Sequence, residues 1–409
     1  MPLVPFEIAL DLTLASAAPL GMEQVPLERA DGRVLAEDVV AGRAMPEHDQ
    51  SAMDGYAVAD LRGSGPWRLR VCGESRAGGA VPKFEPDTAC RIFTGAALPE
   101  GANAVVMQEA VERDGDAIVV ASDRRPRARQ NVRARGEDLP EGKLALTRGT
   151  RLAPAQLGLA AALDRDSLAV GRAPRVAILA TGDELRAPGT PHRPGSIPES
   201  NAFVLGATAR RTAASCEVLP FVGDSPDRLE RALLEACERA DVVVTVGGAS
   251  VGDHDLVRPA LSSLGAEFVF AGVSMRPGKP TAFARLGDTR VLCLPGNPAS
   301  ATLAFLLFGV PLLRALQGDG HARPRPESMR VLGAYSRNLG GSCDGRDDFL
   351  RARIELVDGE PRARLASRQS SGAVTSFAEA DALVLLSGVA SEVRDGDALP
   401  TFRLQDLGA

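Results

Sequence analysis

A chain of 409 residues exceeds what one hydrophobic core usually serves, so two or more domains are expected. Its 47 basic and 53 acidic residues, net charge −6, argue against a general nucleic-acid or anionic-membrane surface and point to small molecules or proteins as partners. Six cysteines (Cys72, Cys90, Cys216, Cys237, Cys293, Cys343) lie far apart with no C-x-x-C pair, so neither a zinc knuckle nor a disulfide framework is expected, and a reducing cytoplasm fits. The N-terminus has no export pattern, and no stretch reads as an uninterrupted membrane span.

In chain order, the spacing predicts an amphipathic helix over 5–17 and a strand over 32–40. From Met45 to about Asp138, apolar runs at 67–71, 90–93, 104–107 and 117–120 alternate with Gly/Pro turns, which predicts a small β-rich domain. Helical spacing returns at 155–163 behind Pro154, so this piece is expected to rejoin the N-terminal segment and make the β-rich domain an insertion. Strands and helices then alternate: strands at 175–180, 217–222, 241–246, 267–273 and 290–294, and helices at 200–214, 226–240, 255–264 and 298–316. Val242, Val243, Val244 and Val246 suit a strand covered by helices on both faces, the signature of a parallel α/β module. A Pro/Arg-rich linker follows at 321–327. Five short strands (329–334, 349–356, 362–366, 382–386, 399–404) then predict a small C-terminal β domain.

In parallel sheets, ligands gather at the carboxyl ends of strands. Four strand ends here bear ligand-like loops: Thr181-Gly182-Asp183-Glu184, the run from Gly247 to Asp255, Arg276-Pro277-Gly278-Lys279-Pro280, and Pro295-Gly296-Asn297-Pro298. Gly247, Gly248 and Gly252 allow close backbone approach to a phosphate, with Ser250 as a donor. Alone, such a loop reads as an ordinary tight turn. Glu184, Asp224, Asp253 and Asp255 add hard oxygen donors of the kind Mg²⁺ takes beside a phosphate, although at least one of them is expected merely to cap a helix. Arg276 and Lys279 place two cations on a proline-stiffened turn, and Lys279 is one of only three lysines in the chain.

The inserted region carries Ser51-Ala52-Met53-Asp54-Gly55-Tyr56, where Asp54 either shapes a turn or joins hydroxyl and phenol in handling a ligand. The arginine cluster 127–138, which includes Arg133 and ends in Gly136-Glu137-Asp138, is either a solvated face or an anion site.

Taken together, residues 51–57, Arg91-Ile92-Phe93-Thr94-Gly95-Ala96, Gly136-Glu137-Asp138, Thr181-Gly182-Asp183-Glu184-Leu185, the 247–252 loop, Pro277-Gly278-Lys279-Pro280 and Leu294-Pro295-Gly296-Asn297-Pro298 closely resemble the molybdopterin molybdenumtransferase (MoeA) family, to which the gephyrin E domain also belongs. The resemblance runs in order along essentially the whole chain. It implies a multi-domain α/β fold: a helical and extended dimerisation segment (1–44 with 139–173), an inserted β-rich domain (45–138), a three-layer MogA-like module (174–322) and a β-barrel-like C-terminal domain (323–409).

The activity implied is insertion of molybdenum from molybdate into the dithiolene of adenylylated molybdopterin, with Mg²⁺-dependent release of AMP. Carried over by motif, Asp54, Thr94, Asp138 and Glu184 fall on catalytic positions, and Glu184, Asp224 and Asp255 on metal positions. Substrate positions fall on Ser51, Tyr56, Arg133, Gly247, Gly248, Ser250, Gly252, Arg276, Pro277, Gly278, Lys279, Pro295, Gly296 and Asn297. A cytoplasmic homodimer is implied, its cleft shared between the α/β module of one chain and the loop around Asp54 of the other. Its implied protein partners are molybdopterin adenylyltransferase upstream and molybdoenzyme cofactor-delivery proteins, with no nucleic acid and no membrane. Gln50, Ala249 and Gly272 depart from the pattern, where asparagine, valine and lysine are common. Two other readings are adenylylation of molybdopterin itself, against which the extra domains argue, and a catalytically silent pterin-binding scaffold.

Overall fold

The structure, a computed structural model, describes residues 2–248, 256–337 and 345–408. The chain divides into two compact units: Met1–Glu37 with Arg148–Leu157 and Asp166–Ala409, and Asp38–Thr147 with Gly158–Arg165.

In the first unit, four parallel strands run side by side in the order Ser215–Val218, Arg175–Ala180, Val242–Val246 and Thr289–Leu294. Every residue of Val242–Val246 is buried, as a central strand with helices on both faces requires. Two antiparallel strands, Ala282–Leu286 and Glu267–Ala271, complete the edge and make the six-stranded sheet mixed rather than wholly parallel. The sequence reading passes over Ala282–Leu286. Its hairpin partner follows after only Gly287-Asp288, with Gly287 at φ +58°, a two-residue turn that a crossover-based pattern does not anticipate.

The segment 298–316 is helical throughout, as expected, but widens to a π-turn over Phe305–Gly309. Pro311 has no N–H to give the carbonyl of Leu307 and crowds it, and the wider turn relieves both problems. This 19-residue stretch is long and apolar enough to cross a membrane, but 83% of its apolar window is buried within the protein. It is a core helix. Phe6 from the N-terminal helix Phe6–Ala15 meets Phe308 of that helix at 5.8 Å and Phe349 at 5.0 Å, so the N-terminal helix is part of this core.

The expected strand over 32–40 is reduced to bridges at Val34 and Leu35 and a two-residue strand Val39–Val40. Met22–Pro26 instead pairs antiparallel with Ser167–Gly171. The strand expected at 217–222 ends at Val218, ahead of Pro220, which cannot donate to a ladder. The C-terminal strands close into a five-stranded barrel: Asp347–Val357, Glu360–Leu365, Glu327–Leu332, Ala398–Arg403, Ala382–Leu386 and back to the first. Glu327, expected in the linker, opens one of these strands.

The second unit is built on a six-stranded mixed sheet in the order Ala104–Met107, Gly55–Val58, Thr88–Ile92, Trp67–Ser75, Ala117–Val120 and Val111–Asp114. The motif around Asp54 enters it at the strand Gly55–Val58, which is paired on both sides.

Candidate functional site

The register of the α/β sheet sets a cleft in the first unit. Ala180 pairs with Val246 and Val246 with Leu294, so three strands end level and their loops emerge side by side. A cleft of 540 Å³ opens there, lined by Thr181, Gly182, Glu184, Asp224, Gly247, Gly248, Pro280, Pro295, Gly296 and Asn297 among others. Gly182, Gly247, Gly248, Pro280, Pro295 and Gly296, all from loops singled out by sequence, thus share one cleft with Glu184 and Asp224. Asp255, Ser250 and Gly252 lie outside the described residues.

The loops are held by close approach as much as by hydrogen bonds. A Cβ on Gly182, at φ +143°, would collide with the Glu184 carboxylate, and one on Gly247 with the carbonyl oxygen of Thr181. Positive φ, +143° and +92°, strains any other residue at both positions, and at Gly247 the obstruction is also backbone. Glu184 is fixed through its backbone, whose carbonyl accepts from the Ile197 N–H at 2.8 Å. Asp183 accepts from the Asp224 N–H at 3.1 Å and ties the two acidic loops together. Thr181 is 6% exposed, and its hydroxyl oxygen is buried without a hydrogen-bond partner among the described residues.

Two contributors escape the sequence reading. Glu199, 7% exposed on the cleft wall, accepts from the Ala202 N–H at 2.9 Å and so caps the helix Asn201–Arg211; the signal is an acidic residue just ahead of a helix. Ser371, from the C-terminal part of the chain, accepts from Asn297 Nδ2 at 3.3 Å, and its carbonyl accepts from the Ala299 N–H at 3.0 Å. No spacing rule in the sequence links these two segments.

The Arg276–Lys279 turn is placed differently from the expectation of two cations aimed at an anion. Met275 and Arg276 pair with Asp347 and Asp348 of the barrel, and Arg276 lies 3.8 Å from the fully buried Asp348. Asp348 also accepts from Arg337 Nε at 3.0 Å and from the Tyr335 hydroxyl at 3.2 Å. Arg276 is therefore partly neutralised by the barrel. Pro280 reaches the cleft, while Lys279 is exposed and its carbonyl accepts from the Val273 N–H at 2.9 Å. Gly278 sits at φ +116°, a conformation that strains any other residue, so glycine is favoured here too.

The other unit carries its own set of polar loops. Asp54 accepts from both the backbone N–H and the hydroxyl of Thr94, each at 2.8 Å. These bonds, with the nearby Arg91 charge, hold its carboxyl below the usual carboxylate range, so it is a firm anion. Gly55 is not a turn residue: a Cβ there would run into the carbonyl of Val106 on the neighbouring strand. Ser51 is buried and its hydroxyl donates to the carbonyl of Met53. Tyr56, 4% exposed, packs in the core beneath Arg91, whose guanidinium lies 5.2 Å from the ring centre. The structure gives Ser51 and Tyr56 packing roles rather than exposed contacts.

Arg133 pairs with Asp138, and the two-residue strand Val132–Arg133 pairs with Gln50–Ser51, which binds the arginine-rich loop to the Asp54 loop. Asp49 strengthens that junction by accepting from Arg129 and, at 2.9 Å, from the Arg135 N–H. The Arg129 bond first and the Arg135 bond second outweigh burial and keep Asp49 ionised to low pH. Among the described residues no three His, Cys, Asp or Glu side chains cluster as a self-sufficient metal site.

Matches to known proteins follow the same layout. Residues 4–163 match the model of the MoeA N-terminal region (domain I and II), 177–315 that of a probable molybdopterin binding domain, and 342–400 that of the MoeA C-terminal region (domain IV). A molybdopterin molybdenumtransferase of Haemophilus influenzae is 34% identical over 401 residues, covering 94% of this chain and 97% of that one. One of Bacillus subtilis is 35% identical over 375 residues, covering 90% and 86%. A crystal structure of a molybdopterin biosynthesis MoeA protein from Pyrococcus horikoshii superposes with a TM-score of 0.82 at 28% identity, covering 98% and 100%. The chain belongs to the molybdopterin molybdenumtransferase (MoeA) family.

Proposed function

We propose that this chain inserts molybdenum from molybdate into the dithiolene of adenylylated molybdopterin and releases AMP, as an enzyme of molybdenum cofactor biosynthesis. Beside the family membership, the observation that carries the reading is the strand-end cleft, where Glu184 and Asp224 stand over glycine loops held at positive φ. Such a cleft suits a phosphoanhydride. Backbone N–H groups of the loops are donors for phosphate oxygens, and the two carboxylates are acceptors for a cation.

The donor set fits Mg²⁺, which typically takes one or two carboxylates and completes its shell with phosphate oxygens and water. Glu184 and Asp224 would hold the ion; when bound, it would neutralise charge developing on the adenylate as AMP departs. Glu184 is held by its backbone and positions its carboxylate over Gly182, close to the phosphate-binding loops. Asp54, kept ionised by Thr94, is suited to orient a water or a protonated substrate group, and Asp138 with Arg133 forms a charged rim on the neighbouring loop.

We further propose a cytoplasmic homodimer in which the Asp54 loops of one chain serve the Glu184 cleft of the other, supplied by molybdopterin adenylyltransferase and served downstream by cofactor-delivery proteins. Replacing one charged donor that acts in the transition state commonly costs on the order of 10²–10⁴ in rate. Glu184→Gln is expected to cut molybdate-dependent AMP release by at least about 100-fold with the fold intact. Wild-type turnover in that variant would remove Glu184 from the chemistry.

A further inference from the structure

A hollow of 710 Å³ in the first unit is lined by polar side chains and Gly408, with no apolar side chain among them. It sits at the far end of the helix Asn201–Arg211 from the strand-end cleft. Asn201 lines the cleft and Arg211 the hollow, so about 15 Å of helix separates them. Arg314, in the last turn of the core helix, and Arg151 supply two more guanidinium groups, and Asp319 and Asp406 supply carboxylates.

A cation at a helix C-terminus has an ordinary use, which is to complement the dipole and occupy the last carbonyls. Arg151 is used in that way: its Nη2 donates to the Arg211 carbonyl at 2.6 Å. The guanidinium groups of Arg211 and Arg314 are not. Among the described residues neither makes a hydrogen bond, and none of the three arginines forms an ion pair with Asp319 or Asp406. Burial first, and the Arg151 charge second, hold the Arg314 guanidinium below its ordinary range, and the attraction of Asp319 and Asp406 does not offset them. The charges therefore stand around the hollow instead of closing on one another.

The frame that carries them is fixed. The buried Gln317 amide donates to the Thr212 carbonyl at 2.8 Å and to the Leu313 carbonyl at 3.0 Å, which ties the ends of the two helices together. The Gly320 N–H donates to the Gly149 carbonyl at 3.2 Å and fastens the Arg151 segment to the turn that follows Arg314. Donors set in advance cost a ligand little ordering.

We propose that this hollow is a second ligand site, for a small phosphate monoester whose carrier bears hydroxyl groups. The forked donors of Arg211 and Arg314, with the remaining donors of Arg151, match the oxygens of a phosphate dianion. Asp319 and Asp406 accept from hydroxyls and repel further negative charge, which favours a sugar-like carrier over a polyphosphate. The volume is of small-ligand size. The site is independent of the reaction proposed for the strand-end cleft.

Isothermal titration of the full-length protein with ribose 5-phosphate, beside inorganic phosphate and ribose, tests the site. Ribose 5-phosphate is expected to bind, inorganic phosphate to bind at least about tenfold more weakly, and ribose to give no measurable heat. Arg211→Glu alters an exposed side chain, and Arg314→Lys keeps the charge while losing the fork. Each is expected to weaken ribose 5-phosphate at least about tenfold, and Asp224→Ala in the cleft is expected to leave that affinity unchanged. No binding by the wild type, full-strength binding in both arginine variants, binding lost in Asp224→Ala, or equal affinity for inorganic phosphate would each overturn the assignment.

Discussion

At the scale of single residues, the polar loops of the two units are set by different forces. In the α/β module the glycines are favoured by positive φ, and a side chain would also meet other atoms: Glu184 above Gly182, and the Thr181 carbonyl beside Gly247. Gly182→Ala is expected to displace Glu184 and abolish turnover with only a modest fall in Tm, which a thermal melt run beside the AMP-release assay would check. In the other unit the determinant is charge. Asp54 and Asp49 there have carboxyls held below their ordinary values; so does Asp241 in the first unit, where burial pushes up but hydrogen bonds from Arg172 and Arg175 outweigh it. Groups depressed in this way contribute stability that is present above the unfolded carboxylate value and is lost as pH falls through the folded one. The protein should therefore hold its stability from neutrality to about pH 4 and lose it steeply below. Asp241→Asn should flatten that acid limb and lower stability near neutrality by roughly 2 kcal/mol, as urea melts at pH 7 and pH 3.5 would show. Thr94→Ala should raise the Asp54 carboxyl toward its ordinary value, readable by NMR titration, and an unmoved titration would show that Thr94 does not set it.

At the scale of elements, the register of three parallel strands brings the Thr181, Gly247 and Pro295 loops level, and that much was legible in their motifs. Parallel strands that alternate with helices leave their C-terminal loops on one edge. What was not legible depends on packing across the chain. The Asp54-Gly55 pair reads locally as a turn, yet Gly55 is needed because the Val106 carbonyl lies against it, a contact between residues more than fifty apart. Gly55→Ala should accordingly destabilise the inserted sheet by about 3 kcal/mol, while the same change at Gly95, where a Cβ meets nothing within 4 Å, should be limited to the strain of its φ of +79°. Comparable melting of the two variants would contradict the close approach. Tyr56 looked available because it is rare; the sheet that buries it cannot be seen in a loop motif. Arg276 looked like a free cation for the same reason, until the barrel strand carrying Asp348 pairs with it.

At the scale of the whole molecule, the chain carries two sets of polar loops in two units, each organised internally, and neither set alone offers a complete metal or catalytic cluster among the described residues. The family motifs made both sets visible because each is a short contiguous string. Ser371 and Asp348, which brace them, were not visible, since each acts through a contact with a distant segment. If the two sets work in one homodimer, mixing Asp54→Ala chains with Glu184→Ala chains should restore up to about half of wild-type activity per heterodimer, one intact cleft of two. Verified heterodimers as inactive as either parent would separate the two sets. The central claim is molybdenum insertion itself. It is tested most directly by incubating the purified wild-type protein with adenylylated molybdopterin, molybdate and Mg²⁺, then counting molybdenum in the pterin product against AMP released. One molybdenum atom gained per AMP, with no release when molybdate is withheld, is the expected result; AMP released without metal in the pterin, or pterin held with neither event, would contradict it.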